Sequence, residues 1–275
     1  MEDLVRSLER QMARISKTQQ GQQLQTKSSR SFWFETREKA LECNCEEPEE
    51  CPNNGYLTYG HGSDAVCFMC PKFAAWSRQS RVQQRLQESL PLKFRDLGFG
   101  NYKKRSLQTT KAFDIAFKYY EKAAYRRGAN LILTGPYGTG KTHLASAVVH
   151  NVLKTTYDTA AFVTASQLRF GGYEEIENRF SLLESMDLLV IDDISNEMDN
   201  KLIAQHMFTL INYRYEAELG MVITTNLDLP GLRNSLGERI FDRLKERSAV
   251  VEINDVESFR GVKRSEYLGW MEEEV

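Results

Sequence analysis

At 275 residues, 41% of them hydrophobic, the chain has material for one full α/β core and a small appendage. No eighteen apolar residues run together and the opening MEDLVRSLERQ is charged throughout, which argues against a membrane span or a secretory leader and points to a soluble, cytoplasmic protein. Net charge is −2, and five cysteines, an odd number in a reducing compartment, fit a metal site better than a disulfide framework.

In chain order, Leu4, Val5, Leu8, Met12 and Ile15 fall at helical spacing and predict a narrow amphipathic helix over 1–17. The polar, aperiodic QQGQQLQTKSS at 19–29 reads as a linker, so 1–30 is expected to be helix plus linker. A cysteine-rich module follows at 31–90. All five thiols, Cys43, Cys45, Cys51, Cys67 and Cys70, sit here with His61, in a stretch that carries acids and no bases. The next segment is strongly basic, with Lys72, Arg78, Arg81, Arg85, Arg95 and Lys103 to Arg105, either a solvated helix face or a phosphate-contacting arm. A basic helix is expected from 78 to 90, interrupted by Pro91, and a second from 109 to 127.

From 130 onward the pattern changes. LILT at 131–134, AAFVTA at 160–165, DLLVID at 187–192, MVITTN at 221–226 and AVVEI at 249–253 are continuous apolar runs separated by helical stretches, most clearly 200–219. Such runs predict a parallel five-stranded sheet covered on both faces, hence an α/β domain over 91–275.

The turn after the first of these strands is G-P-Y-G-T-G-K-T, residues 135–142, an eight-position P-loop in its required strand–turn–helix setting. Gly135, Gly138, Thr139 and Gly140 let backbone N–H groups surround phosphates. Lys141 supplies a point charge, Thr142 offers a hydroxyl to Mg²⁺, and the helix that follows presents its positive end. LLVIDD ends a buried strand with Asp192 and Asp193: Asp192 is placed to hold Mg²⁺, while Asp193 either orients the attacking water or caps the next turn. Asn226 closes a later strand near the expected γ-phosphate. In GERIFDRLKER, Arg239 and Arg243 share a helix face at i, i+4, where they serve either as surface ion-pair partners or as neutralisers of transition-state charge.

With GPYGTGKTHLASA, LLVIDDISNE, INYRY, ITTNL, LGERIFDRLKE and the late S-F-R at 258–260 in register, residues 90–267 resemble the AAA+ ATPases, and among them the helicase loaders of the DnaC/DnaI type. The family usually reads T-S-N where this chain has Thr224, Thr225 and Asn226. The resemblance implies a core without a separate lid domain. It makes Asn226 sensor 1, Arg243 the arginine finger with Arg239 beside it, and Arg260 a sensor-2-like contact to nucleotide. It also implies a zinc-binding domain before the ATPase that grips a replicative hexameric helicase. Cys67 and Cys70, a C-x₂-C pair, would chelate one edge of the tetrahedron with Cys45 and Cys51 completing it and Cys43 and His61 in reserve.

The activity implied is ATP hydrolysis, weak until the protein self-associates in a ring-like or helical assembly on the helicase and deposits it on single-stranded DNA. In the segment SQLRFGGYEEIENRF, Arg169, Phe170 and Tyr173 would supply a phosphate contact and two stacking faces, against the alternative that Phe170 simply packs on the core. An IstB-like transposition helper acting on duplex DNA shares the ATPase motifs, but those helpers generally lack a cysteine-rich module. A zinc-dependent adaptor with a decayed P-loop is disfavoured by the intact Lys141, Thr142 and Asp192.

Overall fold

The computed structural model of the chain describes residues 33–34, 56–59, 65–195 and 200–259. The expected helix over 1–17, the linker at 19–29, Cys43, Cys45, Cys51, His61 and Arg260 lie outside these residues. The chain divides into two compact units, one spanning 14–85 and the other including everything from 86 onward.

In the smaller unit β1 (Trp33–Phe34) pairs parallel with β2 (Tyr56–Tyr59), and β2 pairs antiparallel with β3 (Val66–Met69). Leu57 is fully buried and shares a small cluster with Cys70, against which Tyr59 and Phe73 pack. Helix α1 (Pro71–Ser89) starts directly after Cys70. Its first residue is a proline, whose missing N–H costs nothing at a helix start. The helix therefore begins well before residue 78 and contains Trp76, whose ring lies 5.3 Å from that of Phe73.

The larger unit is built on β4 (Asn130–Thr134), β5 (Ala160–Thr164), β6 (Leu188–Ile194), β7 (Met221–Thr225) and β8 (Ser248–Glu252). All are parallel, in the order β5-β6-β7-β4-β8. This is the α/β, AAA+-type sheet expected from the sequence. The strands supply two layers of core because β4 and β7 are buried at every position.

Helices α2 (Leu107–Glu121), α3 (Lys141–Thr155), α4 (Tyr173–Glu184), α5 (Lys201–Glu216), α6 (Leu229–Leu236) and α7 (Glu238–Glu246) fill the connections. α2 is capped by Ser106, whose hydroxyl accepts the Thr109 N–H while Thr109 Oγ1 accepts the Ser106 N–H. It ends sooner than the sequence suggests, since Ala123 is left-handed (φ 46°) and a separate 3₁₀ turn covers Ala124–Arg127.

INYRY owes its arginine to packing. Arg214 is fully buried at the C-terminal end of α4, donating to the carbonyls of Leu183, Glu184 and Met186 and to that of Gly220 before β7. A cation there satisfies carbonyls that the helix leaves unpaired and complements its negative end.

Candidate nucleotide site

The order of the strands in space places the site at the C-terminal ends of the three central strands. β7 lies between β4, which carries the P-loop, and β6, which carries the acids, so the ends of three adjacent strands converge. Gly138 and Gly140 hold φ of 78° and 96°, conformations open to glycine at no steric cost. Gly140 also caps α3, and Thr139 is fully buried with its hydroxyl donating to the Pro136 carbonyl at 3.0 Å. Lys141 is buried with Nζ donating to the carbonyls of Gly135 (2.6 Å) and Pro136 (2.7 Å), so its charge is already held against the loop.

β6 runs past Asp192 through a bulge: its register with β7 steps from Ile191 opposite Ile223 to Ile194 opposite Thr225. The bulge separates the two acids. Asp192 is buried, whereas Asp193 is exposed and left-handed at φ 60°. Thr224 bridges them, donating to Asp192 Oδ1 at 2.6 Å and accepting the Asp193 N–H at 2.9 Å. Burial raises the Asp192 pKa above the ordinary carboxylate value, against the opposing pull of hydrogen bonds from Thr224 and Thr142 and the nearby Lys141 charge. A divalent cation beside Thr142 and Asp192 would relieve that cost, and the hydroxyl and carboxylate are the oxygen donors that Mg²⁺ takes. The residues therefore fit Mg²⁺ and a phosphate chain.

β7 stops at Thr225, leaving Asn226 just beyond it. The Asn226 Oδ1 is buried and has no hydrogen-bond partner among the described residues, so an acceptor remains to orient a water or receive a ligand proton. Thr225 itself is spent on structure, donating to the Ile194 carbonyl at 2.6 Å.

Arg239 and Arg243 do share a face of α7, but their contacts run to α5. Arg243 donates to Asn212 Oδ1 and lies over the Tyr215 ring at 5.7 Å; exposed Arg239 lies 5.7 Å from the Phe208 ring. In the Ser166-to-Phe180 segment, Phe170 and Tyr173 are 57% and 62% exposed, so Phe170 does not pack on the core. The loop is fixed from beneath by buried Arg179, which donates to the carbonyls of Gln167, Leu168 and Phe170. Cys67, exposed on β3, and Cys70, buried before α1, stand at a strand–helix junction. No group of three or more metal-capable side chains occurs among the described residues, which include only these two of the expected thiol ligands.

Three contributors were not read from the sequence. Tyr102 packs on the P-loop, its ring carbon 3.1 Å from where a Cβ on Gly140 would stand, and its buried hydroxyl has no partner among the described residues. Thr224 carries no motif of its own beyond ITTNL. The segment 254–259 crosses the P-loop, with the Phe259 N–H donating to the Gly138 carbonyl at 2.9 Å. Only S-F-R hinted at the last.

A P-loop at one strand end, a bulged acid pair two strands away and a polar residue after the strand between them define an ATPase core of the AAA+ type. Residues 75–267 match the family described as IstB-like ATP binding protein, and the chain belongs to that family. It is 27% identical over 219 residues to the phage-like element PBSX protein XkdC of Bacillus subtilis (strain 168), covering 72% of this chain and 79% of XkdC. It is 30% identical over 183 residues to the replicative helicase loader DnaC of Buchnera aphidicola subsp. Acyrthosiphon pisum (strain APS), covering 63% of this chain and 74% of that relative. The crystal structure of a DnaC helicase loader shares the fold, with a TM-score of 0.53 at 21% identity over 59% of this chain and 99% of that one.

Proposed function

We propose that this protein is an ATP-dependent loader that binds a hexameric replicative helicase and helps to deposit it on single-stranded DNA. The similarity to a DnaC named as a replicative helicase loader, across 74% of that relative, is the observation that carries this reading. Lys141, Thr142 and Asp192 hold Mg-ATP, Asp193 and Asn226 orient the attacking water, Arg260 touches the nucleotide, and Arg243 with Arg239 neutralises charge on the γ-phosphate of a neighbouring subunit. Hydrolysis is slow until copies assemble on helicase and DNA.

The cysteine-rich unit grips the helicase and holds zinc through Cys45, Cys51, Cys67 and Cys70. Support comes from the small apolar cluster around Leu57 and Cys70, a core of the size that metals commonly reinforce. Arg169, exposed Phe170 and exposed Tyr173 face the DNA strand. The second reading, a transposition helper on duplex DNA, draws on the family's description as IstB-like.

The test is deposition. Purified replicative helicase and a single-stranded DNA circle should yield more DNA-bound helicase when full-length protein and ATP are present, and Lys141→Ala should remove the increase. Chelation of zinc should abolish helicase capture. ATP-dependent assembly on duplex DNA with no effect on helicase would select the second reading instead.

A further inference from the structure

The segment 254–259 is fastened at both ends. At the P-loop, Phe259 N–H donates to the Gly138 carbonyl at 2.9 Å, and a Cβ on Gly138 would stand 2.0 Å from Ser258 Oγ. At the far end, Asp255 Oδ1 accepts the Ser106 hydroxyl at 2.7 Å and Oδ2 accepts the Gln108 N–H at 3.4 Å. The Asn254 N–H donates to Gln108 Oε1 at 2.6 Å, and the Arg105 guanidinium lies 4.5 Å over the Phe259 ring.

The proton bookkeeping makes this a single connected chain. Ser106 accepts the Thr109 N–H as the cap of α2, which leaves its one hydroxyl proton for Asp255. The carboxylate also sits at the positive end of α2. At the other end the bond from Phe259 fixes the peptide between Gly138 and Thr139. In a trans peptide the carbonyl and the following N–H point in opposite directions. Holding the Gly138 carbonyl to the strap therefore fixes which way the Thr139 N–H faces, and that N–H belongs to the loop that surrounds phosphate.

We infer that Asp255 is a positioning residue for nucleotide: it clasps the 254–259 strap to the N-terminus of α2, and through Phe259 the strap sets the P-loop peptide at Gly138 in its phosphate-binding orientation. This inference rests on the reading of residues 135–142 as an ATP site. A pre-set loop binds more tightly because less ordering accompanies binding. The clasp acts on affinity and not on the γ-phosphoryl step, so its loss raises KM for ATP and leaves kcat at saturating ATP unchanged.

The experiment uses full-length protein and a fluorescent ATP analogue. Asp255→Ala should weaken analogue binding roughly tenfold, the scale of losing a hydrogen bond to a charged group, and should speed amide hydrogen exchange at 136–140 and 254–259. Asp255→Asn, which keeps an acceptor for Ser106, should restore most of the affinity, and Ser106→Ala, which removes the donor of the same bond, should weaken binding as Asp255→Ala does and stands in if that variant does not fold. Wild-type affinity in Asp255→Ala, or equal losses in kcat and affinity, overturns the inference. Lys141→Ala separates the two ideas. If it abolishes binding while Asp255→Ala binds normally, the ATP site stands and the clasp falls; if Lys141→Ala binds normally, the ATP site falls and the clasp with it.

Discussion

The Thr224 hydroxyl donates to Asp192 Oδ1 at 2.6 Å, placing the charge of a buried carboxylate under the control of the strand beside it. Burial still raises the Asp192 pKa, so folding disfavours its ionised form. The cost appears as pH rises past the unfolded value of about 3.9, saturates above the raised folded value and is absent in stronger acid. Asp192→Asn retains an acceptor for Thr224 and removes the charge. Without Mg²⁺ the variant should melt at a higher temperature than wild type near neutral pH, with the difference vanishing in acid. Thermal melts across pH check this, and Mg²⁺ with ATP should stabilise wild type far more than the variant.

Arg214 holds four carbonyls and no carboxylate among its hydrogen bonds. Arg214→Met keeps much of the volume and leaves those acceptors buried without a donor. The expected loss of stability is about 3 kcal/mol or more, read from a chemical denaturation midpoint. Arg214→Lys should recover only part of it, because one ammonium lacks the planar fork that reaches both α4 and Gly220.

These two residues also mark where the sequence stops being legible. The parallel sheet and the P-loop turn were readable because each depends on local pattern: apolar runs and glycine spacing. Thr224 acts through a bulge in β6 that shifts register by an amount no local pattern encodes. Arg214 and Asp255 each bond across long sequence separations, Asp255 to Ser106 and Gln108. Helix limits failed for a related reason. Pro71 is compatible with a helix start, and Ala123 adopts a left-handed conformation that its side chain does not advertise.

Phe170 and Tyr173 stand exposed on a segment that Arg179 fixes, which suits stacking on unpaired bases. The double variant Phe170→Ala, Tyr173→Ala should bind a labelled single-stranded oligonucleotide more weakly by roughly thirtyfold or more, from about 1–3 kcal/mol for each of two stacked bases. Fluorescence anisotropy with ATP present reads the loss, and nucleotide affinity should not change.

Arg243 contacts Asn212 and Tyr215 of its own chain. If it also completes a neighbour's site, Arg243→Ala should lower ATP turnover by roughly a hundredfold while hardly changing ATP affinity. Mixing Arg243→Ala with Lys141→Ala on helicase and single-stranded DNA should restore activity, since a mixed interface pairs Lys141 of one copy with Arg243 of the other. Two mutants that demonstrably co-assemble without regaining turnover would place the arginine's action within its own subunit.

Native mass spectrometry of the full-length protein with the replicative helicase of its source, with and without ATP, reads out whether the two bind. A helicase loader should give a discrete complex in which one helicase hexamer carries several copies of this chain, with a copy number that ATP alters and a mass that includes zinc. Helicase hexamers and free protein appearing only as separate species under both conditions would contradict that reading.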